Sequence, residues 1–126
     1  DLARRVDELA RQRFGLVAGV VCLEDEAPAG WRMLAPTQID MLIGHDRLAF
    51  MGFQPTALGL FGDHAEEIKS MAMVRMAMWE PAREGLLVFG SDDPDGFTPD
   101  MGAELVAFLA RVVERTAERW PAPAAE

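Results

Sequence analysis

Residues 85–102, which read GLLVFGSDDPDGFTPDMG, decide the fold of this chain. The first six are apolar or glycine, which is typical of a short strand inside a sheet. The acidic run after them predicts a turn, because aspartate, proline and glycine favour turn conformations. Thr98 and Pro99 then predict a helix start, since a threonine side chain can cap free backbone amides and proline suits the first helical position. The stretch therefore predicts a strand, a turn and a helix in succession.

Both ends of the chain have the apolar spacing of amphipathic helices. The last helix is predicted over residues 99–120, with an apolar stripe of Met101, Leu105, Phe108, Leu109, Val112, Val113, Thr116 and Trp120. A first helix is predicted over residues 1–14, with a stripe of Leu2, Val6, Leu9, Ala10 and Phe14. Gly15 is expected to end this first helix as a C-cap residue.

Between the two helices, β-branched and apolar runs alternate with short turns. Strands are predicted at residues 16–23, 31–34, 47–53, 69–79 and 85–90, and short helices begin at Thr37 and Pro55 and end at Gly44 and Gly62. Methionines on both faces of residues 69–79 leave a helix as an alternative there, but Pro81 and the turn after it favour a hairpin. Strands joined by short turns favour antiparallel pairing. We therefore predict an α+β fold: a central antiparallel sheet of about five strands, with the N- and C-terminal helices on one face.

The size of the chain fits one domain. It has 126 residues, 50% of them hydrophobic, and a chain of this length can bury a continuous core. We predict a single domain over residues 1–120 and a disordered tail over the proline- and alanine-rich residues 121–126. Because residue 1 is Asp rather than Met, we expect the chain to be part of a longer protein.

The distribution of polar residues bears on location and partners. The longest apolar run, residues 16–23, is far shorter than the ~20 residues that cross a bilayer, and no secretion signal precedes it. The single cysteine, Cys22, fits a reducing compartment, so we expect a cytoplasmic protein with no membrane partner. With 21 acidic and 12 basic side chains the net charge is −9, whereas nucleic-acid binding draws on clustered lysine and arginine. No direct nucleic-acid binding by this domain is expected.

The stretch at 85–102 resembles the closing strand, turn and helix of GAF domains. More narrowly, it resembles the bacterial GAF-like family called domain of unknown function 484, whose GS-x-D-x-x-x-F-x-P-x-MG run is matched at residues 90–102 and whose late tryptophan is matched by Trp120. The LFG at 60–62 and the SMA at 70–72 are also similar to this family. The resemblance implies a GAF-like fold within a longer regulatory protein. It also implies either a small molecule held between the sheet and its covering loops or dimerisation through the terminal helices.

Catalytic and metal-binding patterns are absent from the sequence. Ser91 lacks the flanking glycines of a nucleophile elbow, the two histidines lie near acids in predicted loops, and Cys22 lies in an apolar strand. The acidic turn fails as a calcium loop, because Ser91 and Gly102 would occupy its first and last ligand positions. No zinc spacing or glycine-rich phosphate loop is found. We predict no enzymatic activity, no catalytic residues, no metal and no cofactor.

A ligand pocket is predicted around one charge. Arg75 lies midway along an otherwise apolar strand, where it would anchor an anion unless it faces water or pairs with a local acid. Phe50, Met51 and Met73 are its predicted apolar walls, with core residues as the alternative, and His45 completes the set. We therefore expect a non-catalytic regulatory or sensory signalling module that binds a small molecule. The alternative is a dimerisation or protein-interaction module without a ligand, which forms a homodimer through the helices at 1–14 and 99–120.

Overall fold

The computed structural model describes residues 1–123, which form a five-stranded sheet covered on both faces by helices. In chain order the elements are α1 (Leu2–Arg13), β1 (Ala18–Glu24), β2 (Arg32–Leu34), α2 (Gln38–Ile43), β3 (Ala49–Gly52), a 3-10 segment (Pro55–Glu67), β4 (Ser70–Met78), β5 (Arg83–Ser91) and α3 (Glu104–Ala117). Part of the predicted disordered tail, residues 124–126, lies outside the described residues. No helix within residues 1–123 is long and apolar enough to cross a membrane.

The strands lie in the order β2-β1-β5-β4-β3. The β4–β5 ladder forms the centre and runs from Ser70 opposite Ser91 to Met78 opposite Arg83. Three of the four pairings are antiparallel, as predicted, and the edge pair β1–β2 is parallel. The sheet is therefore mixed, because the loop after β1 returns the chain to the sheet edge before β2 begins.

The terminal helices lie together on one face of the sheet, which confirms the predicted α+β arrangement. Their buried residues pack on alternate residues of the strands; the buried set is Ala3, Val6, Ala10, Val21, Leu23, Ala72, Val74, Met76, Met78, Leu87, Phe89, Val106, Ala110, Val113 and Ala117. Small side chains allow close contact between helix and sheet. A Cβ on Gly19 of β1 would lie 3.0 Å from the Val6 carbonyl oxygen and 3.1 Å from the Cβ of Ala10.

The opposite face is covered by α2 and the 3-10 segment. Its buried residues are Ala18, Cys22, Leu34, Ile39, Leu42, Ile43, Ala57, Leu60, Phe61, Ile68, Met71, Met73, Leu86 and Val88. The 3-10 segment breaks at Gly62, where φ is 57°, as the predicted helix end requires. After this break, residues 63–67 continue the 3-10 conformation as far as Glu67.

The last helix begins later than its sequence predicts. α3 starts at Glu104, with Ala103 as its N-cap, rather than at Pro99. The Thr98 hydroxyl donates to the Asp100 carboxylate at 2.6 Å, and the Met101 amide donates to the Thr98 carbonyl at 3.0 Å. Because the threonine side chain serves this local turn, it does not cap the helix.

Two buried serines fasten the turn between β5 and α3. Ser70 Oγ donates to the Asp93 carbonyl at 2.7 Å and accepts from the Phe97 amide at 3.1 Å. Ser91 Oγ accepts from the Asp93 amide at 3.1 Å. A side chain at Gly96 would collide with Ser91, so the close approach requires glycine there. These contacts set the direction in which the chain leaves the sheet toward α3.

Candidate functional site

Arg75 of β4 contacts four neighbouring residues through its guanidinium group. Its Nε donates to the Arg47 carbonyl at 3.0 Å and its Nη2 to the Gly44 carbonyl at 3.1 Å. Nη2 also lies 2.8 Å from the Asp40 carboxylate, and Nη1 lies 3.8 Å from that of Glu84. The structure thus pairs Arg75 with local acids, which is the alternative that the sequence left open. The guanidinium ties the loop after α2 to the centre of the sheet.

The contacts of Asp40, the carboxylate partner of Arg75, lower its pKa. The hydrogen bond from Arg75 lowers the pKa of Asp40, and a second hydrogen bond from His45 lowers it further. His45 Nδ1 lies 3.4 Å from Asp40 Oδ2, while its Nε2 lies 3.4 Å from Asp46. Asp40 is therefore ionised at neutral pH and balances the charge of the arginine.

Arg75 and His45 line a common open cleft of about 500 Å³. The lining residues are Glu24, Thr37, Asp40, His45, Asp46, Arg47, Leu48, Arg75 and Glu84. Four of them are acidic and two are arginines, so the cleft carries more negative than positive charge. An anionic ligand is disfavoured here, because it would compete with carboxylates that already neutralise Arg75.

The other predicted pocket residues do not join this cleft. Met73 is completely buried in the core beneath α2 and the 3-10 segment, and Phe50 packs against the same core from the neighbouring strand. Met51 contacts the core on the opposite side of the sheet, beneath the terminal helices. Of the five residues, the structure brings together only Arg75 and His45. Adjacent strand residues point to opposite faces, so Phe50 and Met51 cannot line one pocket.

One carboxylate of the cleft has a structural role that the sequence did not predict. Glu24, at the end of β1, accepts from the backbone amides of Thr37 and Ile39, both at 3.1 Å. It therefore caps α2, whereas the Thr37 side chain makes no capping bond. No local signal reveals this cap, because Glu24 is remote from α2 in the sequence and reaches it only through the fold.

The helical layer presents a second, apolar surface. Leu105, Phe108 and Val112 of α3 are 58%, 62% and 46% exposed. Leu9 and Phe14, in and just after α1, are also exposed. We call these five residues the helical apolar face. An apolar row facing water along a helix that already buries another row is typical of a helix with a second partner.

The predicted stripe of α3 was displaced by about one residue. Its buried residues are Val106, Ala110, Val113 and Ala117, whereas most of the larger residues of the predicted stripe face outward. Both rows have helical spacing, so periodicity alone does not distinguish them. The row of smaller side chains is the one that packs against the sheet, because the helix lies close to strand residues such as Ala72 and Val74.

Charge separates the helical layer from the remaining surface. α1 and α3 together contain six arginines and four acidic residues. The rest of the chain therefore holds six of the 12 basic side chains but 17 of the 21 acidic ones. The helices have a slight positive charge, and the strong negative charge lies on the loops and the other elements.

The lone cysteine lies away from both surfaces. Cys22 is completely buried in β1, and burial raises the pKa of its thiol to about 12. The thiol is thus protonated at neutral pH and behaves as a small apolar group. Among residues 1–123, no cluster of three or more histidine, cysteine, aspartate or glutamate side chains has a geometry that could hold a metal ion.

The family model described as "Protein of unknown function, DUF484" matches residues 1–122. The chain belongs to the DUF484 family. This confirms the resemblance drawn from residues 90–102 and Trp120. No curated protein matches the chain.

The motif by which the DUF484 family was recognised has identifiable structural roles in this chain. Ser91 and Gly96 shape the turn between β5 and α3, through the hydroxyl contact and the close approach described above. Met101 and Trp120, by contrast, are 41% and 58% exposed. The first half of the motif therefore serves the fold, and exposed apolar residues of this DUF484 chain are available for contacts with other molecules.

Proposed function

We propose that this DUF484 domain is a non-catalytic regulatory module that acts by self-association, with the helical apolar face of one copy packed against that of a second. The observation that carries the proposal is the exposed row Leu105, Phe108 and Val112 on α3. Burying a large apolar side chain contributes roughly 1.5–3 kcal/mol. Two copies that cover these rows gain this contribution on both sides of the interface.

Charge opposes the association of two copies least at this face. The chain carries a net charge of −9, so most pairings of its surface bring acidic residues together. α1 and α3 form the part with more arginines than acids. Acidic residues of one copy can therefore lie beside arginines of the other. The same distribution supports the proposal that the domain does not bind nucleic acid directly.

The experiment is analytical ultracentrifugation at tens of micromolar protein. The wild-type chain is expected to sediment as a dimer of two 13.9 kDa chains. Phe108→Glu places a charge in the centre of the apolar row and is expected to give monomers. Met41→Glu is the matched control, because Met41 is 79% exposed on α2, on the other side of the sheet. This control is expected to remain dimeric.

Two results would contradict self-association through this face. One is a wild-type chain that stays monomeric over the whole concentration range. The other is a Phe108→Glu variant that dimerises as tightly as the Met41→Glu control. A wild-type monomer that binds a different protein through Phe108 would replace the second copy with another partner.

Small-molecule sensing on the loop-covered face, the first function predicted from the sequence, remains a prediction. The core there is filled by buried side chains that include Met73, Leu60 and Phe61. A ligand on that side would have to occupy the open cleft beside Arg75, whose excess of carboxylates favours a cation. Self-association is better supported, because its surface is already exposed and apolar.

A further inference from the structure

The three tryptophans of the chain meet at one end of the helical layer. Trp31 precedes β2, Trp79 follows β4 and Trp120 lies just beyond α3. Together they line an open cavity of about 410 Å³, within the usual size range of small-molecule sites. The other lining residues are Asp1, Leu2, Pro28, Ala29, Ala117 and Pro121. Sequence reasoning missed this cluster, because only the fold brings these segments together.

Trp79 is held in place by two hydrogen bonds. Its backbone amide donates to the Glu118 carboxylate at 3.0 Å, and its indole Nε1–H donates to the Trp120 carbonyl at 2.8 Å. The residue has φ of 66°, a left-handed conformation that bulky side chains rarely adopt. Its ring centroid lies 6.4 Å from that of Trp31, with 31° between the ring planes. Because its one polar hydrogen is already bonded, Trp79 offers a ligand only its aromatic surface.

Among residues 1–123, one charged side chain lines the cavity. It is Asp1, whose Oδ1 accepts from the Arg4 amide at 3.3 Å. The carboxylate lies against Gly30, where a Cβ would be 2.8 Å from Oδ2. No basic side chain in the described part of the chain is among the lining residues. The cavity thus combines three indole rings with a carboxylate, which complements a positive charge.

We propose that this tryptophan cavity binds a small soluble compound through an alkylated ammonium group, such as trimethylammonium. The methyl groups contact the indole rings, and the positive charge is attracted by the ring faces and by Asp1. A bare ammonium or a metal cation is disfavoured, because the apolar walls cannot replace its hydration shell. The site is separate from the proposed dimer surface, whose residues Phe14 and Leu105 lie at the opposite ends of the two helices.

The test is a titration of intrinsic tryptophan fluorescence, since all the tryptophans of the chain line the cavity. The probes are choline and its uncharged isostere 3,3-dimethyl-1-butanol, with sodium chloride at the same ionic strength as the blank. The N-terminus is acetylated, because a free α-amino group would place a competing positive charge beside Asp1. Choline is expected to change the emission saturably and to bind about tenfold more tightly than the isostere, which lies between the values for an exposed and a desolvated cation–π contact.

Two variants locate the response, with calorimetry as a readout that does not depend on fluorescence. Trp120→Leu is expected to weaken choline binding severalfold. It leaves the backbone carbonyl that holds Trp79 in place, and Trp120 is 58% exposed, so the fold is expected to persist. Asp1→Asn is expected to weaken choline but not the isostere. Phe53→Leu, at an exposed aromatic outside the cavity, is the control and is expected to bind choline as the wild type does.

Three results would overturn the proposal. Equal affinity for choline and the isostere would show an apolar cavity without selectivity for charge. Unchanged choline binding in Trp120→Leu would place the binding site elsewhere. No saturable response to choline in the acetylated wild-type chain would show that the cavity does not take this class of ligand.

Discussion

At the scale of single residues, the side chain of Ser70 connects β4 to the turn after β5. Its hydroxyl is the partner of the Asp93 carbonyl and the Phe97 amide, and the residue is 1% exposed. Ser70→Ala leaves both backbone groups without this partner, and a buried unpaired group costs about 1–3 kcal/mol. We expect the free energy of unfolding, measured by urea denaturation, to fall by an amount in this range.

Thr116→Ala is the control for Ser70→Ala. The Thr116 hydroxyl is exposed and donates to the Val112 carbonyl within its own helix, so its removal is expected to change stability by less than about 0.5 kcal/mol. If the two alanine variants unfold at the same urea concentration, Ser70 does not hold the turn in the way described.

Because Asp40 and Arg75 form an ion pair, we expect the stability of the fold to depend on pH. The hydrogen bond from Arg75 holds the pKa of Asp40 below its ordinary value. The pair therefore contributes to stability at neutral pH, and this contribution is lost as the pH falls through the lowered pKa. Arg75→Met is expected to raise the pKa of Asp40 toward its ordinary value of about 3.9, as measured by NMR titration of the side-chain carboxyl.

Arg47→Met is the control for this titration. Arg47 lines the same cleft, but its contact with Arg75 is through the backbone carbonyl, which the substitution keeps. The pKa of Asp40 is expected to stay low in this variant. An equal rise in both variants would mean that general charge in the cleft, rather than the hydrogen bond from Arg75, lowers the pKa.

At the scale of elements, the contact between α1 and β1 depends on Gly19. A Cβ there would lie 3.0 Å from the Val6 carbonyl oxygen and 3.2 Å from the ring of Phe89. Backbone atoms cannot move aside as a flexible side chain can, so Gly19→Ala has to displace α1. Overpacking of this kind costs typically about 1–3 kcal/mol. We expect a lower midpoint of thermal unfolding, with loss of helical circular dichroism at that lower temperature.

Gly59→Ala is the control for Gly19→Ala. Gly59 lies in the 3-10 segment with no heavy atom within 4 Å of its would-be Cβ. Alanine there is expected to leave stability unchanged or to raise it by up to about 1 kcal/mol, because it restricts the unfolded chain. A Gly19→Ala variant as stable as Gly59→Ala would show that α1 does not pack as closely as described.

At the scale of the whole molecule, self-association couples folding to concentration. If the dimer proposed above is the folded form, each tenfold rise in protein concentration stabilises it by about 1.4 kcal/mol per dimer. The midpoint of thermal unfolding of the wild-type chain is therefore expected to rise with concentration, as measured by scanning calorimetry. The midpoint of Phe108→Glu is expected to stay constant. A wild-type midpoint that does not depend on concentration would contradict a coupled dimer.

The elements of this fold could be predicted from the sequence because their signals are local. The two-residue periodicity of residues 69–79 and the continuous apolar run of residues 85–90 predicted the two central strands, and spacing of three and four residues predicted both terminal helices. Residues 90–102 predicted the family. These patterns depend only on residues that are close together in the sequence, so they can be read without knowledge of the fold.

Contacts between distant segments were decided by the tertiary structure alone. The sheet selected Val106 and Ala110 as the inner row of α3 and left Phe108 outside, because smaller side chains allow closer packing. The cap of α2 comes from Glu24 of another element, and the tryptophan cavity draws residues from four separate segments. Sequence spacing determines which faces a helix or strand offers. Only packing determines which of those faces is buried and which side chains meet, because that depends on distances between elements that no local pattern encodes.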